Sequence, residues 1–261
     1  MTAETLPAGL PGPRPARPPG AVPWVLMYHS VTAIASPDQD PYGITVTPEV
    51  LDAQLRRLVG QGLRGVSMGE LWAARAAGRA AGLVGLTFDD GYRDFLEHAL
   101  PLLARHRCTA TLFVLPGRLG TDNAWDPLGP RKPLLDADEV REAAAAGTEI
   151  GSHGMLHRHL TGLPDAELTA ELVDSRAALT ELTGRAPEGF CYPYGSLDRR
   201  VLEATRAAGY AWAVGIDPGP LAGDPHAIAR THVSQADGPA RLLVKQARHR
   251  ARELRRGVFG R

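Results

Sequence analysis

The stretch Leu83-Val84-Gly85-Leu86-Thr87-Phe88-Asp89-Asp90-Gly91 is an apolar run that ends in two adjacent carboxylates. Such a run reads as a buried strand. Two carboxylates confined at its end repel each other unless a metal ion, a shared proton or a strongly shifted pKa relieves them. Asp-Asp-Gly is also ordinary turn vocabulary, so the pair alone does not establish a site. A second cluster, Glu149-Ile150-Gly151-Ser152-His153-Gly154-Met155-Leu156-His157, again joins a strand-like entry to metal-type residues. If the chain coils after Ser152, the i and i+4 spacing of His153 and His157 puts both imidazoles on one face, within reach of one divalent ion. The zinc-protease helix is excluded, because it requires Glu directly after the first His and this chain has Gly154. The carboxylate must come from elsewhere, and Asp89-Asp90 is the available donor.

Thr87-Phe88-Asp89-Asp90-Gly91 followed by His153-x-x-x-His157 resembles the polysaccharide deacetylase family, also called carbohydrate esterase family 4 or the NodB-homology domain. The resemblance continues, in family order, through Val25-Leu26-Met27-Tyr28-His29-Ser30, Thr47-Pro48-Glu49, Leu115-Pro116-Gly117, Phe190-Cys191-Tyr192-Pro193-Tyr194-Gly195 and Ala208-Gly209-Tyr210. It covers about Val22 to Val233. It implies that Asp89 is the general base and that Asp90, His153 and His157 hold a divalent metal, zinc before cobalt, nickel, iron or manganese. Three protein ligands leave a coordination position open, as metal-assisted hydrolysis requires. The resemblance also makes the backbone N–H of Tyr194 an oxyanion donor, worth about 3 kcal/mol of barrier in comparable sites. His29 is expected to line the pocket floor, and Tyr192 to contact substrate.

Three departures from the family pattern bear on the site. Gly154 replaces the usual Ser or Thr, which leaves both ligands but removes a hydroxyl that orients their loop. No Arg precedes the Pro-Tyr turn to pair with the catalytic Asp, so Arg230 is the candidate cation facing that aspartate and the substrate. The late His that protonates the leaving amine has its nearest counterpart in His232, within Ala229-Arg230-Thr231-His232-Val233.

The elements that must carry these residues alternate strand and helix. Trp24 to Tyr28, Val84 to Phe88, Thr109 to Leu115, the segment through Ile150, Phe190 to Tyr192, Ala211 to Val214 and Ile228 to Val233 read as strands. Thr47 caps a helix with Pro48 at its first position and Leu51, Leu55 and Leu58 at core spacing. A helical stretch with Phe95, Leu96, Leu100 and Leu103 is interrupted by Pro101. Asp136 and Glu139 form a capping-box start for a helix ending at Gly147. Further helices are expected around Ala166 to Leu182 and Asp198 to Ala208. This alternation implies an α/β fold with a parallel sheet. The resemblance makes it a distorted seven-stranded (β/α) barrel of the polysaccharide deacetylase type, with every motif at a strand C-terminal end, where barrel enzymes build active sites.

A chain of 261 residues, 44% hydrophobic, can bury the core of one such domain, so a second is not expected. Lys+Arg 29 against Asp+Glu 29 leaves no net charge, so nothing favours nucleic acid. Cys108 and Cys191 offer no disulfide framework and read as small buried hydrophobes. Residues 1–21 read as a disordered Pro/Gly/Ala-rich leader rather than a signal peptide, and no apolar run spans a bilayer, so a cytoplasmic protein is expected. The barrel is expected over 22–236 and a basic helix over 237–261, with contact to an anionic membrane as a minority reading. The long irregular loop from Arg118 to Lys132 offers Trp125 either as a sugar-stacking platform or as a packed ring.

The expected activity is removal of N-acetyl groups from an amino-sugar-containing glycan or sugar conjugate. The alternatives are hydrolysis of another non-peptide amide or formyl group on the same barrel, or a catalytically weak glycan-binding scaffold.

Overall fold

The computed structural model describes residues 24–34 and 36–259, so the expectation for residues 1–21 lies outside the described residues. Its strands are β1 (Val25–Tyr28), β2 (Ser30–Val31), β3 (Thr45–Val46), β4 (Arg64–Val66), β5 (Leu83–Phe88), β6 (Thr111–Val114), β7 (Glu149–Ser152), β8 (Gly189–Cys191), β9 (Trp212–Gly215), β10 (Ile228–Ala229) and β11 (Thr231–His232). One sheet runs β10-β9-β8-β7-β6-β5-β1-β11 with β4 beside β5, and β2 pairs separately with β3. All of these pairings are parallel.

The strand count is nine in the main sheet rather than the expected seven, and the pairing register explains the difference. β10 pairs with β9 while β11 pairs with β1, and only Arg230 separates them. A single five-residue segment therefore touches both ends of the sheet and closes the ring. Counted as one stave it gives seven around the barrel. The extra strand, β4, shares one edge of β5 with β6: it pairs with Leu83, Val84 and Gly85, and β6 takes over at Thr87 and Phe88.

The helices are α1 (Pro48–Gly60), α2 (Met68–Ala76), α3 (Leu100–Arg105), α4 (Ala137–Ala145), α5 (Asp165–Thr169), α6 (Ser175–Thr183), α7 (Arg199–Ala207) and α8 (Pro239–Phe259). Thr47 caps α1 with Pro48 in its first turn, and Leu51, Leu55 and Leu58 are buried. The Asp136–Glu139 capping box opens α4, with both reciprocal bonds at 2.9 Å. A wide π turn, Phe95–Ala99, precedes α3. Pro101 lacks an N–H and its ring crowds the carbonyl four residues back, so a looser turn there lets the helix continue through it. Short β2 and β3 carry too few residues for periodicity to reveal them. The C-terminal helix α8 packs Leu242 into the core against α1. No helix among the described residues is long and apolar enough to cross a membrane.

Two aromatic rings, Phe113 and Trp212, pack edge to face at 6.1 Å in a core cluster with Val25, Val66, Cys191, Val214 and Ile228. Gly189 makes this possible, because a Cβ there would lie 1.9 Å from the Trp212 ring. Gly189→Ala is expected to lower unfolding free energy by about 1–3 kcal/mol through overpacking, as measured by urea denaturation.

Candidate active site

The chemistry-bearing side chains gather where the strands end. Asp89 and Asp90 follow β5, His153 follows β7, Tyr192 follows β8, His29 follows β1, and Arg230 occupies the join between β10 and β11. Together with Trp125, Asp126, His157, Tyr194 and His232 they line one cleft of about 480 Å³. All ten residues singled out from the sequence lie in it. That size falls in the range of small-molecule sites.

Asp89 and Asp90 are both buried, at 2% and 4% exposure, and each has its own means of holding charge. Arg230 grips Asp89 with a fork: Nη1 donates to Oδ1 at 2.6 Å and Nη2 to Oδ2 at 2.7 Å. Nη1 also donates to the Thr87 hydroxyl at 3.0 Å, and the Phe113 ring lies 5.8 Å from the guanidinium carbon. Burial pushes the Asp89 carboxyl up, but the Arg230 charge and hydrogen bonds outweigh it and hold the group below its ordinary value. A bidentate, charge-assisted pair of this kind fixes orientation as well as ionisation.

Asp90 faces the two histidines. Its Oδ1 lies 3.1 Å from His153 Nε2 and 3.3 Å from His157 Nε2. That oxygen is buried and has no hydrogen-bond partner. Metal–ligand bonds of about 2.0–2.1 Å at tetrahedral angles separate neighbouring ligand atoms by about 3.3 Å, so this oxygen and these nitrogens fit a shared cation. The His153 ring is already oriented as a ligand, because its Nδ1 lies 2.8 Å from the Cys191 carbonyl, which holds the proton on that nitrogen and turns Nε2 toward Asp90. Burial lowers the His157 imidazole below its ordinary value, whereas at His153 the neighbouring Cys191 and Asp90 outweigh burial and hold the imidazole well above it. His29 stands outside this set, with Nε2 3.8 Å from Asp89 Oδ2, and its ring meets His232 edge-on at 6.3 Å. Burial lowers both of these histidines.

The remaining expected residues form the walls. Trp125 is half-buried, and its ring stacks on His157 at 4.4 Å with 24° between planes. One face of Trp125 therefore backs the metal-type ligand. Tyr194 sits in the Pro193–Gly195 turn at φ 57, stacks on His159 at 3.9 Å and meets His157 edge-on at 4.4 Å. The Tyr192 hydroxyl donates to the His226 carbonyl at 2.9 Å, so its ring rather than its hydroxyl serves the cleft.

Three residues escaped the sequence reading. Cys191 does more than fill space: Arg230 Nη2 lies 3.0 Å from its sulfur, its thiol approaches Asp89 Oδ2 at 3.5 Å, and its carbonyl orients His153. Burial pushes that thiol up, so it stays protonated. Asp126, 8% exposed in the loop beside Trp125, is pushed up to about 6 by burial and by the charge of Asp90. Glu171 is buried under the His153–His157 loop. The neighbouring Trp125 could have drawn attention to Asp126, whereas nothing local distinguishes Glu171 from other helical glutamates.

The profile of the polysaccharide deacetylase family matches residues 77–213, just over half the chain. The chain belongs to this family. The match contains Asp89, Asp90, His153, His157 and Tyr194, while His29, Arg230 and His232 lie outside it. YxkH of Bacillus subtilis, assigned to the polysaccharide deacetylases, is 27% identical over 214 residues, which cover 80% of this chain and 71% of that protein. A chitin deacetylase of Colletotrichum lindemuthianum is 31% identical over 117 residues, 45% of this chain and 44% of the relative. The chain thus spans under half the length of that enzyme. Among solved structures, the Streptococcus pyogenes deacetylase PplD in complex with acetate superimposes with a TM-score of 0.74 at 23% identity, covering 87% of this chain and 98% of its own. That likeness bears on the fold, a (β/α) barrel.

Arg230 yields a prediction with a definite sign. Arg230→Met leaves Asp89 buried and unpaired, a loss of about 3–5 kcal/mol. Because the folded carboxyl sits below its unfolded value, the pair's contribution is full above about pH 4 and fades as pH falls through the depressed value. Urea titrations at pH 7 and at decreasing pH are therefore expected to show the wild-type advantage shrinking toward acid.

Proposed function

We propose that this protein hydrolyses the acetamide of an N-acetylated amino sugar in a glycan or sugar conjugate, with a divalent cation on Asp90, His153 and His157 and with Asp89 as the general base. The observation that carries the reading is the division of labour between the two aspartates: one locked to Arg230, the other turned to two imidazole nitrogens. The family and its chitin-deacetylating and peptidoglycan-deacetylating relatives support a glycan acetamide as substrate. Zinc suits two imidazoles and a carboxylate best, with cobalt, nickel, iron and manganese able to use the same donors.

A cation held there supplies Lewis-acid polarisation of the acetyl carbonyl and makes water more acidic. Asp89, ionised and aimed by Arg230, takes the proton of the attacking water as its oxygen bonds to the amide carbon. The backbone N–H of Tyr194 donates to the oxyanion. Collapse breaks the C–N bond, releases acetate and requires a proton on the departing amine. Two histidines could deliver that proton. His232 follows the family order, but His29 is the better placed, since its Nε2 lies 3.8 Å from the carboxylate that gathers the water's proton. Trp125 and Tyr194 wall the cleft with aromatic surface suited to the apolar face of a sugar ring.

The decisive experiment is acetate release from a panel of N-acetylglucosamine oligomers, with chelator and with metal add-back. Activity that chelator abolishes and metal restores is expected; acetate release only from non-sugar amides would transfer the function to the other amide class. Asp89→Asn is expected to lose turnover by about 10²-fold or more while elemental analysis still finds metal, and His157→Ala is expected to lose the metal. For the proton donor, His29→Ala should slow acetamide hydrolysis far more than His232→Ala. Both variants should act on an aryl acetate, whose leaving group needs no proton. The reverse ranking on the acetamide would return the role to His232.

A further inference from the structure

We infer that Glu171 is a positioning residue for the metal-binding loop, supplying from a neighbouring helix the restraint that Gly154 cannot. The loop 153–157 has to deliver two imidazoles to one point, and its backbone donors are held one after another. The His153 N–H bonds the Val114 carbonyl at 3.0 Å, and the Gly154 N–H bonds the Ser152 hydroxyl at 3.2 Å. Glu171 Oε2 then accepts both the Met155 N–H at 2.7 Å and the Leu156 N–H at 3.1 Å. The Met155 carbonyl is tied in turn by the Gly117 N–H at 3.1 Å. The two bonds to Glu171 fix the span immediately before His157.

The placement of that carboxylate depends on two local features. Glu171 lies in a π turn, Ala170–Asp174, between α5 and α6, where the hydrogen-bond register slips and the Ser175 hydroxyl takes the Glu171 carbonyl at 2.6 Å. Ser175 also meets the Ser152 hydroxyl at 2.9 Å, so the turn is bonded to the last residue of β7. The second feature is Gly154 itself, at φ +82: a Cβ there would stand 2.8 Å from Glu171 Oε2. At that distance a side chain at 154 would require the Glu171 carboxylate to shift from this seat. The charge-assisted bonds of a carboxylate to two N–H groups are stronger than those of a neutral hydroxyl.

This inference rests on the metal reading of the site, and its test keeps the two apart by measuring affinity rather than turnover. Zinc dissociation constants are measured by chelator competition, and the visible spectrum of the cobalt-loaded protein is recorded, for the full chain and for Glu171→Ala, Glu171→Gln and Leu179→Ala. Leu179 is a fully buried core residue of α6 and serves as the stability control. Glu171→Ala is expected to weaken zinc binding by about 10- to 100-fold, the usual effect of removing a residue that supports a ligand, and to alter the cobalt spectrum. Glu171→Gln, which keeps an acceptor, is expected to recover part of the affinity, while Leu179→Ala lowers Tm and leaves affinity unchanged. Wild-type affinity and spectrum in folded Glu171→Ala, or a loss no larger than that of Leu179→Ala, would overturn the inference. A wild-type protein that binds no metal would overturn both readings. One that binds metal but releases no acetate from any sugar would overturn the deacetylase reading alone.

Discussion

Two neighbouring carboxylates at the end of a buried strand cannot both stay ionised on their own, and much of the site's architecture answers that constraint. Asp89 and Asp90 are adjacent in sequence, but the left-handed backbone at Asp90, φ 72, turns their side chains to different partners. One meets the fixed cation of Arg230 and the other meets two imidazoles that can share a metal. Removing either counter-charge would leave a desolvated carboxylate, a cost that few folds tolerate without protonating the group. The same arrangement that relieves the repulsion also distinguishes the two acids chemically: the carboxylate paired with Arg230 suits the proposed base, and the one facing two imidazole nitrogens suits the proposed ligand.

Closing the barrel and completing the site are one event. The segment that carries Arg230 leaves β9 at Ala229 and joins β1 at Thr231, so the guanidinium enters the cleft where the ring shuts. Its partner lies 141 positions earlier in the chain. A barrel with this seam open would have no Arg230 guanidinium against Asp89, which ties the ionisation of the proposed base to the last pairing in the sheet. Phe113, filling the interior beneath the guanidinium and packed against Trp212, links the core to the same ion pair.

Where chemistry and local pattern coincide, the sequence was legible. The Asp-Asp pair, the spaced histidines, the Thr47 cap and the Asp136 capping box are short-range features whose physics fits within a few residues. The α/β alternation gave the parallel sheet, and the resemblance gave the barrel and its seven staves, though the pairing of β10 and β11 with opposite ends of the sheet and the short β4 do not show in periodicity. Arg230 could be nominated only because a cation was missing elsewhere. Cys191 reads as apolar beside Phe190, and only the fold brings its sulfur and its carbonyl to two different parts of the site. Glu171 was illegible for a related reason: a helical glutamate looks solvated until a π turn rotates it inward.

Backbone strain is concentrated where these demands meet. Among the described residues, four other than glycine have positive φ, and three of them, Asp90, His157 and Tyr194, line the cleft. Each such residue costs on the order of 1–3 kcal/mol, which persists only where the surroundings over-determine the conformation. The surroundings here do so: His157 ends a loop whose N–H groups are bound in succession, Tyr194 is pinned between His157 and His159, and Asp90 lies between a buried strand and Gly91. A relaxed backbone would point these side chains along their parent segments rather than toward one another. The barrel core thus supports three unfavourable turns, and two of them, at Asp90 and His157, help bring one carboxylate oxygen and two imidazole nitrogens together.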